Sequence, residues 1–245
     1  MEQIGNVTVL RRFPVKSMAG EELPRGFVSY SGLQGDRVFA LLGAADKKFP
    51  WITARQHRAL VLCQPRFVQP PDLTDEYPDL AQLAVTVRLP DGVELAVTDP
   101  RLLEWLQGEL GAEVSLRFSE RGMPDARPLS LIGEATIDAL SDEVGVTLDA
   151  RRFRPNLQVR WSSAQPFFED SLVDRRLQLG EQLIVLVSKK DARCQVIGID
   201  PDTAELDRRV LQTVSQRHDG NAGVYLVVLR EGVVERDSPI YLLPR

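Results

Sequence analysis

The chain has 245 residues, of which 43% are hydrophobic, and a formal net charge of −5 at pH 7. This length suits one large domain or two small ones, and the charge is spread so evenly that neither half is a basic nucleic-acid-binding module. Two cysteines are too few for a disulfide scaffold. Because no stretch approaches the roughly 18 apolar residues of a membrane span and the start of the chain has no apolar signal core, we expect a cytoplasmic protein that binds neither nucleic acid nor membranes.

The first half of the chain is predicted to consist of short strands joined by turns. Runs rich in β-branched and aromatic residues, bounded by Gly, Pro or Asp, predict strands at residues 6–13, 37–42, 59–67, 83–89, 93–97 and 114–118. A helix is predicted at residues 99–110, because Asp99 can cap it and Pro100 suits the first helical position, where no backbone donor is needed.

A polar segment at residues 119–130, with a glycine and two prolines, predicts a domain boundary. Beyond it the pattern predicts helices at residues 133–145 and 207–217, and strands at residues 157–161, 175–187, 194–199, 223–230 and 240–243. Many short strands around few helices are typical of β-barrels. We therefore predict a mainly β fold with a few helices, divided into two β-barrel-like domains at residues 1–120 and 121–245.

The residue inventory excludes several kinds of chemistry. His57 and His218 are the only histidines and no C-x-x-C pair is present, which argues against a zinc site. The sequence contains no G-x-S-x-G elbow, no dinucleotide-binding glycine motif and no Walker loop. Two cysteines cannot ligate an iron–sulfur cluster alone. If the protein is a redox enzyme, its electrons must come from another protein.

Cys194 is the first candidate for chemistry. Arg193 precedes it, with Lys189 and Lys190 upstream, and this positive surrounding favours a thiolate, which is a nucleophile and a soft metal ligand. The alternative is a small buried residue at the start of an apolar strand, since cysteine is among the most often buried residues. Both interpretations stay open on the local pattern. Cys63 lies between apolar neighbours and is predicted to be structural.

A second candidate is the stretch RRFRPN at residues 151–156. The proline after Arg154 predicts an extended backbone that projects the arginine side chain. Asn156 offers a donor and an acceptor beside it, and the planar guanidinium suits a phosphate or a polar heterocycle. A solvated arginine cluster before a strand is an equally good interpretation.

Three further stretches combine polar residues with turns. Lys16 and Ser17 follow a proline turn and can hold an anion, although an ordinary loop has the same composition. Arg37 and residues 53–56 suit surface ion pairs and turns as well as a site. Residues 200–203, DPDT, are predicted to be a structural turn, because a calcium loop needs more spaced oxygen ligands.

Together and in this order, the motifs resemble the molybdenum cofactor sulfurase C-terminal (MOSC) domain family, in the form that has a MOSC N-terminal β-barrel domain before the MOSC domain. The N-terminal signatures are PVKSMAGEEL, GLQGDR and TARQ. The MOSC signatures are RRFRPNLQV, PFFEDSL, LQLGE, RCQVIGIDPDTAELD and GVYLVVLREGVVERDSPIYLL. The resemblance covers almost the whole chain and extends to the mitochondrial amidoxime-reducing component and to bacterial reductases of N-hydroxylated bases.

The resemblance implies a cofactor, a reaction and a partner. In such enzymes a cysteine thiolate holds a molybdenum–molybdopterin cofactor, and the matching residue here is Cys194. The residues implied to grip the pterin and its phosphate are Lys16, Ser17, Arg37, Arg154, Asn156 and Arg193. The implied reaction removes oxygen from a small N-hydroxylated or other N-oxygenated substrate, with electrons from a separate flavin, haem or iron–sulfur protein.

The sequence also departs from the family pattern and leaves a second function open. Ala192 stands where the reductases often have a small hydroxyl residue, Ile197 and Gly198 replace two threonines, and Ala204 replaces a glycine. These changes lie around the implied ligand, Cys194, and do not replace it. They weaken the inference of the substrate class from the family more than the inference of cofactor binding. The alternative is a non-catalytic carrier of the cofactor, or of sulfur as a persulfide on Cys194.

Overall fold

The computed structural model describes residues 1–43, 51–69, 71, 79–111 and 113–244. Within these ranges short strands dominate and α-helices are few, so the prediction of a mainly β fold with a few helices is confirmed. The strands are β1 (Glu2–Arg12), β2 (Glu21–Leu23), β3 (Arg25–Ser29), β4 (Gly32–Leu33), β5 (Phe39–Gly43), β6 (Trp51–Ile52), β7 (Gln64–Phe67), β8 (Val85–Arg88), β9 (Glu94–Ala96), β10 (Val114–Phe118), β11 (Leu129–Gly133), β12 (Leu157–Trp161), β13 (Arg176–Leu179), β14 (Leu183–Ala192), β15 (Asn221–Arg230), β16 (Gly232–Glu235) and β17 (Pro239–Leu242). The helices are α1 (Pro100–Leu110), α2 (Glu134–Val144) and α3 (Arg208–Arg217).

Strands β12, β11, β15, β14, β13, β17 and β1 close into a β-barrel. They pair in that order, and β1 returns to pair antiparallel with β12. Fully buried aliphatic side chains, among them Val7, Leu131, Val185 and Leu226, fill the interior. Closure leaves these strands without an exposed edge, which favours a rigid frame for residues at the barrel rim.

Strand β1 joins the start of the chain to this barrel. It pairs with β12 on one side and with β17 on the other. A small sheet, β16–β3–β4, also joins an N-terminal segment to a C-terminal one. The predicted division into residues 1–120 and 121–245 stays a prediction.

Strand β2 pairs with β1, and the other six strands described in the first half form two three-stranded sheets, β10–β5–β6 and β7–β8–β9. They pack with α1 around a second core that includes Leu41, Val87 and Leu106. Helix α1 has Asp99 as its N-cap, whose side chain accepts from the backbone N–H of Arg101, and it begins with a proline as predicted.

Helix α2 connects the parallel strands β11 and β12 and packs against α3. Its buried Ile137 and Leu140 lie in a third core with Val214 of α3. The N-cap is Gly133, which has no side chain to offer, and the Glu169 carboxylate accepts from its backbone N–H at 3.0 Å. A residue distant in sequence therefore caps this helix.

Two strand predictions are wrong in part. Residues 194–199 are not a strand, because a 3₁₀ helix, Gln195–Gly198, follows β14. Residues 59–67 likewise begin with a 3₁₀ helix, Arg58–Leu62, and only Gln64–Phe67 form a strand. Apolar runs of this length fit a buried 3₁₀ turn as well as a strand, and tertiary packing decides between them.

Replacing Gly223 of β15 by alanine is expected to lower the free energy of unfolding by about 2–4 kcal/mol. Its φ is +76°, and a Cβ there would lie 2.6 Å from the carbonyl oxygen of Leu131 in the neighbouring strand. Gly220→Ala is the control, since Gly220 has a φ of +75° but no atom within 4 Å of the added Cβ. That variant should lose only about 1 kcal/mol. Equal losses in urea unfolding would contradict the steric argument.

Candidate functional site

A cavity of about 250 Å³ lies where the two halves of the chain meet. The structure brings all of the predicted site residues to its wall: Lys16, Ser17, Arg37, Arg154, Asn156, Arg193 and Cys194. Lys16, Ser17 and Arg37 come from loops of the first half, between β1 and β2 and between β4 and β5. The others lie before β12 and after β14. Their roles remain predictions, whereas their proximity is a feature of the fold.

Cys194 lies at the end of β14 as the N-cap of the 3₁₀ helix Gln195–Gly198. Its side chain is half-buried on the cavity wall. The guanidinium of Arg55 donates a hydrogen bond to its sulfur. Gln195 in turn donates to the carbonyl oxygen of Arg55 at 2.5 Å, which fixes that arginine against the helix. The cavity wall therefore carries a cysteine sulfur beside a cation.

Cys63 has the opposite surroundings. It is fully buried in the core of the N-terminal sheets, and burial, helped by Glu109, raises the pKa of its thiol to about 12. A thiol with such a pKa stays protonated and unreactive.

Arg193 is held rigidly behind Cys194. Its Nε donates to the carbonyl oxygen of Ala222 at 2.7 Å, and its Nη1 donates to that of Phe153 at 2.8 Å. The same Nη1 lies 2.9 Å from the carboxylate of Asp191. Its Nη2 is buried and has no acceptor among the described residues. The Arg193 side chain therefore keeps one donor for a bound group.

The buried Asp191 and the half-buried Tyr225 form a pair beside this arginine, and both line the cavity. The Asp191 side chain is buried and accepts a hydrogen bond from the Tyr225 hydroxyl. Burial raises the pKa of Asp191, although Arg193 opposes the shift. Burial and the Asp191 charge together raise the pKa of Tyr225. The tyrosine therefore stays a neutral hydrogen-bond donor at working pH.

Arg37 and Arg154 stack on one aromatic ring. Their guanidinium carbons lie 4.7 and 4.3 Å from the ring centroid of Phe13. Arg37 is paired with Asp36, whereas the Nη2 of Arg154 is buried without an acceptor among the described residues. Burial, reinforced by repulsion from Arg37, lowers the pKa of Arg154 to about 9. A cation whose buried donor has no acceptor favours binding of an anion.

The backbone of Arg154 differs from the prediction. Its φ is +52° and its ψ is +42°, so it is left-handed rather than extended. It ends the 3₁₀ helix Ala150–Phe153, and its backbone N–H bonds to the carbonyl oxygen of Arg151. This turn, together with the stacking on Phe13, overrides the local preference of a residue before proline.

Lys16 and Asn156 are both buried, with different partners. Lys16 donates to the carbonyl oxygen of Met123 at 2.7 Å and pairs with Asp125, and burial lowers the pKa of its ammonium group despite that partner. Asn156 accepts from the backbone N–H of Ser130 at 3.2 Å and donates to the carbonyl oxygen of Arg11 at 3.2 Å. Both polar atoms of Asn156 are therefore engaged in holding the loop that carries Arg154.

Sequence reasoning missed several polar residues of this cavity, among them Arg55, Asp125, Asp191 and Tyr225. Arg55 lies in the TARQ stretch, where a surface turn was as good an interpretation. Asp125 lies in the segment predicted to be a domain boundary. Charged residues in such segments give no local signal that they face a cavity.

A larger cavity, of about 480 Å³, lies alongside and shares Arg152, Arg154 and Val196 with the first. Neither Cys194 nor Lys16 lines it. Most of the charged side chains on its wall are already paired, as Arg66 is with Glu94. The smaller cavity is the better candidate, because it alone of these two joins a thiol to the buried cations.

The described residues contain no group of three or more His, Cys, Asp and Glu side chains able to hold a metal ion. A metal centre at Cys194 would therefore need ligands from a non-protein group. In the described part of the chain, no helix has the length and apolar character needed to cross a membrane.

Comparisons with known proteins identify the family. Residues 119–241 match the MOSC domain and residues 4–107 match the MOSC N-terminal beta barrel domain. The chain is 26% identical to mitochondrial amidoxime reducing component 2 of Macaca fascicularis, over 85% of this chain and 71% of that protein. It is 28% identical to mitochondrial amidoxime-reducing component 1 of Danio rerio, over 50% of this chain and 39% of that protein.

A solved structure, the YUAD protein from Bacillus subtilis, has a similar fold. The TM-score is 0.51 at 13% identity, and the match covers 97% of this chain and 94% of that one. At this identity the likeness concerns the fold alone.

Proposed function

The chain belongs to the MOSC domain family, and from this premise we propose that it binds a molybdenum–molybdopterin cofactor beside Cys194 and reduces N-oxygenated compounds. The observation that carries the proposal is one cavity that combines a half-buried cysteine with Arg154, a half-buried arginine whose buried Nη2 has no acceptor among the described residues. The likeness to amidoxime-reducing components supports a reductase role.

The residues present fit the chemistry of such a cofactor. A thiolate is a suitable soft ligand for molybdenum, and a single protein ligand suffices when the pterin supplies others. The free Nη2 groups of Arg154 and Arg193 suit the anionic and heterocyclic parts of the pterin. When bound, the cofactor supplies the two-electron chemistry that removes an oxygen atom from nitrogen.

The cations of the first half would hold the phosphate of the pterin. Lys16 and Arg37 lie on the cavity wall, and the burial of Lys16 strengthens its attraction for an anion because the local dielectric is low. Ser17 adds a hydroxyl donor next to them. Arg55 would orient the Cys194 sulfur through its hydrogen bond.

The reduction of an N-hydroxylated compound consumes two electrons and two protons and releases the reduced nitrogen compound and water. The hydroxyl of Tyr225 lines the cavity and is oriented by Asp191. Because its one O–H already donates to Asp191, the phenol oxygen would accept a hydrogen bond from the hydroxyl group of an N-hydroxylated substrate. The electrons would come from a separate flavin, haem or iron–sulfur protein.

A cytoplasmic location and the division into residues 1–120 and 121–245 belong to the same proposal.

Metal and pterin analysis, combined with an activity assay, tests the function. Protein purified from a molybdenum-sufficient host is expected to hold roughly one molybdenum and one pterin per chain, and to reduce benzamidoxime with an artificial electron donor. Protein that holds no molybdenum and reduces no N-oxygenated compound would contradict the proposal. Release of thiocyanate on treatment with cyanide, with no reduction, would favour the alternative of a persulfide carrier.

A further inference from the structure

We propose that Asp125 is an internal competitor of the anionic ligand, which holds Lys16 and Arg55 until a dianionic phosphate group displaces it. Asp125 would thereby select phosphate monoesters against monoanions of similar size. This role rests on the function proposed above, since the phosphate group is that of the cofactor.

The contacts place Asp125 where such a phosphate would bind. One carboxylate oxygen pairs with the ammonium group of Lys16, and the other lies 3.1 Å from Nη2 of Arg55. The Lys16 side chain is 7% exposed, whereas that of Asp125 is 51% exposed. The cation is therefore fixed in the wall and its anionic partner is accessible to solvent. Lys16 also donates to the carbonyl oxygen of Met123, a hydrogen bond that does not depend on Asp125.

The segment that carries Asp125 can move without loss of backbone hydrogen bonds. Residues 124–128 form no backbone–backbone hydrogen bond with the rest of the described chain, and both Pro124 and Pro128 lack the N–H donor. The chain is fixed on either side of them. Met123 donates to the carbonyl oxygen of Arg37 at 2.8 Å, and β11 begins at Leu129.

Charge decides which anions can replace the carboxylate. A half-exposed ion pair is weak, because solvent screens it. A phosphate dianion carries twice the charge and has three acceptor oxygens, so it can also reach the unpaired donors of Arg154. A monoanion such as nitrate only exchanges one single charge for another. Asp125 should therefore exclude nitrate and leave room for phosphate.

Isothermal titration calorimetry of the full chain, made in a host that cannot synthesise the pterin, tests this role. With inorganic phosphate as the probe at about pH 8, Asp125→Asn is expected to bind about tenfold more tightly than the wild type. Nitrate, which should not bind the wild type measurably, should bind this variant. Asp125→Glu keeps the carboxylate and should keep the weak phosphate affinity.

The matched control is Glu120→Gln, an equal change of charge at an exposed residue that precedes the segment and lies outside the cavity wall. It should leave phosphate affinity unchanged, and Lys16→Gln added to Asp125→Asn should abolish the gain. No gain in a folded Asp125→Asn protein, or an equal gain in Glu120→Gln, would overturn the proposal. Calorimetry with phosphate needs no molybdenum, so the two proposals are tested separately. Wild-type protein that holds no molybdenum when purified from a molybdenum-sufficient host would contradict the cofactor function but not the role of Asp125.

Discussion

Cys194→Ser is expected to yield a folded protein without molybdenum whose reduction of benzamidoxime falls at least about a hundredfold. Serine has nearly the same shape but its hydroxyl stays protonated, so it offers molybdenum a hard and neutral oxygen instead of a soft anionic sulfur. Metal analysis and the activity of the same preparation check this. Normal molybdenum content in the variant would contradict the ligand assignment.

The chain offers a matched control in its other cysteine. Cys63→Ala removes a sulfur that lies in the N-terminal core and away from the cavity wall. We expect its molybdenum content to equal that of the wild type, while a lower melting temperature reports the lost packing. The Cys194→Ser protein should keep the wild-type melting temperature measured without cofactor, because Cys194 is half-buried and belongs to none of the hydrophobic core clusters. The pair separates loss of ligation from loss of fold.

The site depends on contacts between distant parts of the sequence. Lys16 pairs with Asp125 and Gln195 donates to Arg55, so the sequence separations are 109 and 140 residues. Lys16 and Arg55 lie in the segment that matches the N-terminal domain, and Asp125 and Gln195 in the segment that matches the MOSC domain. Both domains must therefore fold together before the cavity exists.

Local patterns predicted most strands because alternating burial leaves a direct trace in the sequence. Residues 157–161 and 223–230 were predicted from such runs and lie within β12 and β15. The strand prediction at residues 194–199 is wrong, because a neighbouring segment sets the backbone there. A Cβ on Gly198 would lie 2.5 Å from the carbonyl oxygen of Asp207, and Asp207 donates back to the carbonyl oxygen of Gly198 at 2.8 Å. This approach turns the chain into a 3₁₀ helix.

The departures from the family pattern lie close to the site. Ala192 and Ile197 line the cavity itself, so they are placed to alter the shape of the space beside Cys194. Ala204 has a φ of +59°, a conformation in which an alanine costs about 1 kcal/mol more than a glycine. The strain is local to the turn after the 3₁₀ helix and leaves the cavity wall unchanged.

Glu169→Ala is expected to lower the free energy of unfolding by about 3–5 kcal/mol. The carboxylate is fully buried and accepts from the backbone N–H of Gly133 at 3.0 Å and the hydroxyl of Thr136 at 2.8 Å. Its other oxygen accepts from the indole N–H of Trp161 at 3.0 Å. Alanine would leave three buried donors without an acceptor and would create a cavity beneath the first turn of α2. Urea unfolding followed by tryptophan fluorescence measures the loss.

Glu104→Ala on the exposed face of α1 is the control and should change stability by less than about 0.5 kcal/mol. Glu169→Gln keeps one acceptor oxygen and should fall between the two, since its amide can serve Gly133 and Thr136 but presents donors to Trp161. A loss in Glu169→Ala no larger than in the control would mean that water replaces the carboxylate. Buried water would then accept from the donors at the start of α2, because Gly133 has no side chain that can cap the helix.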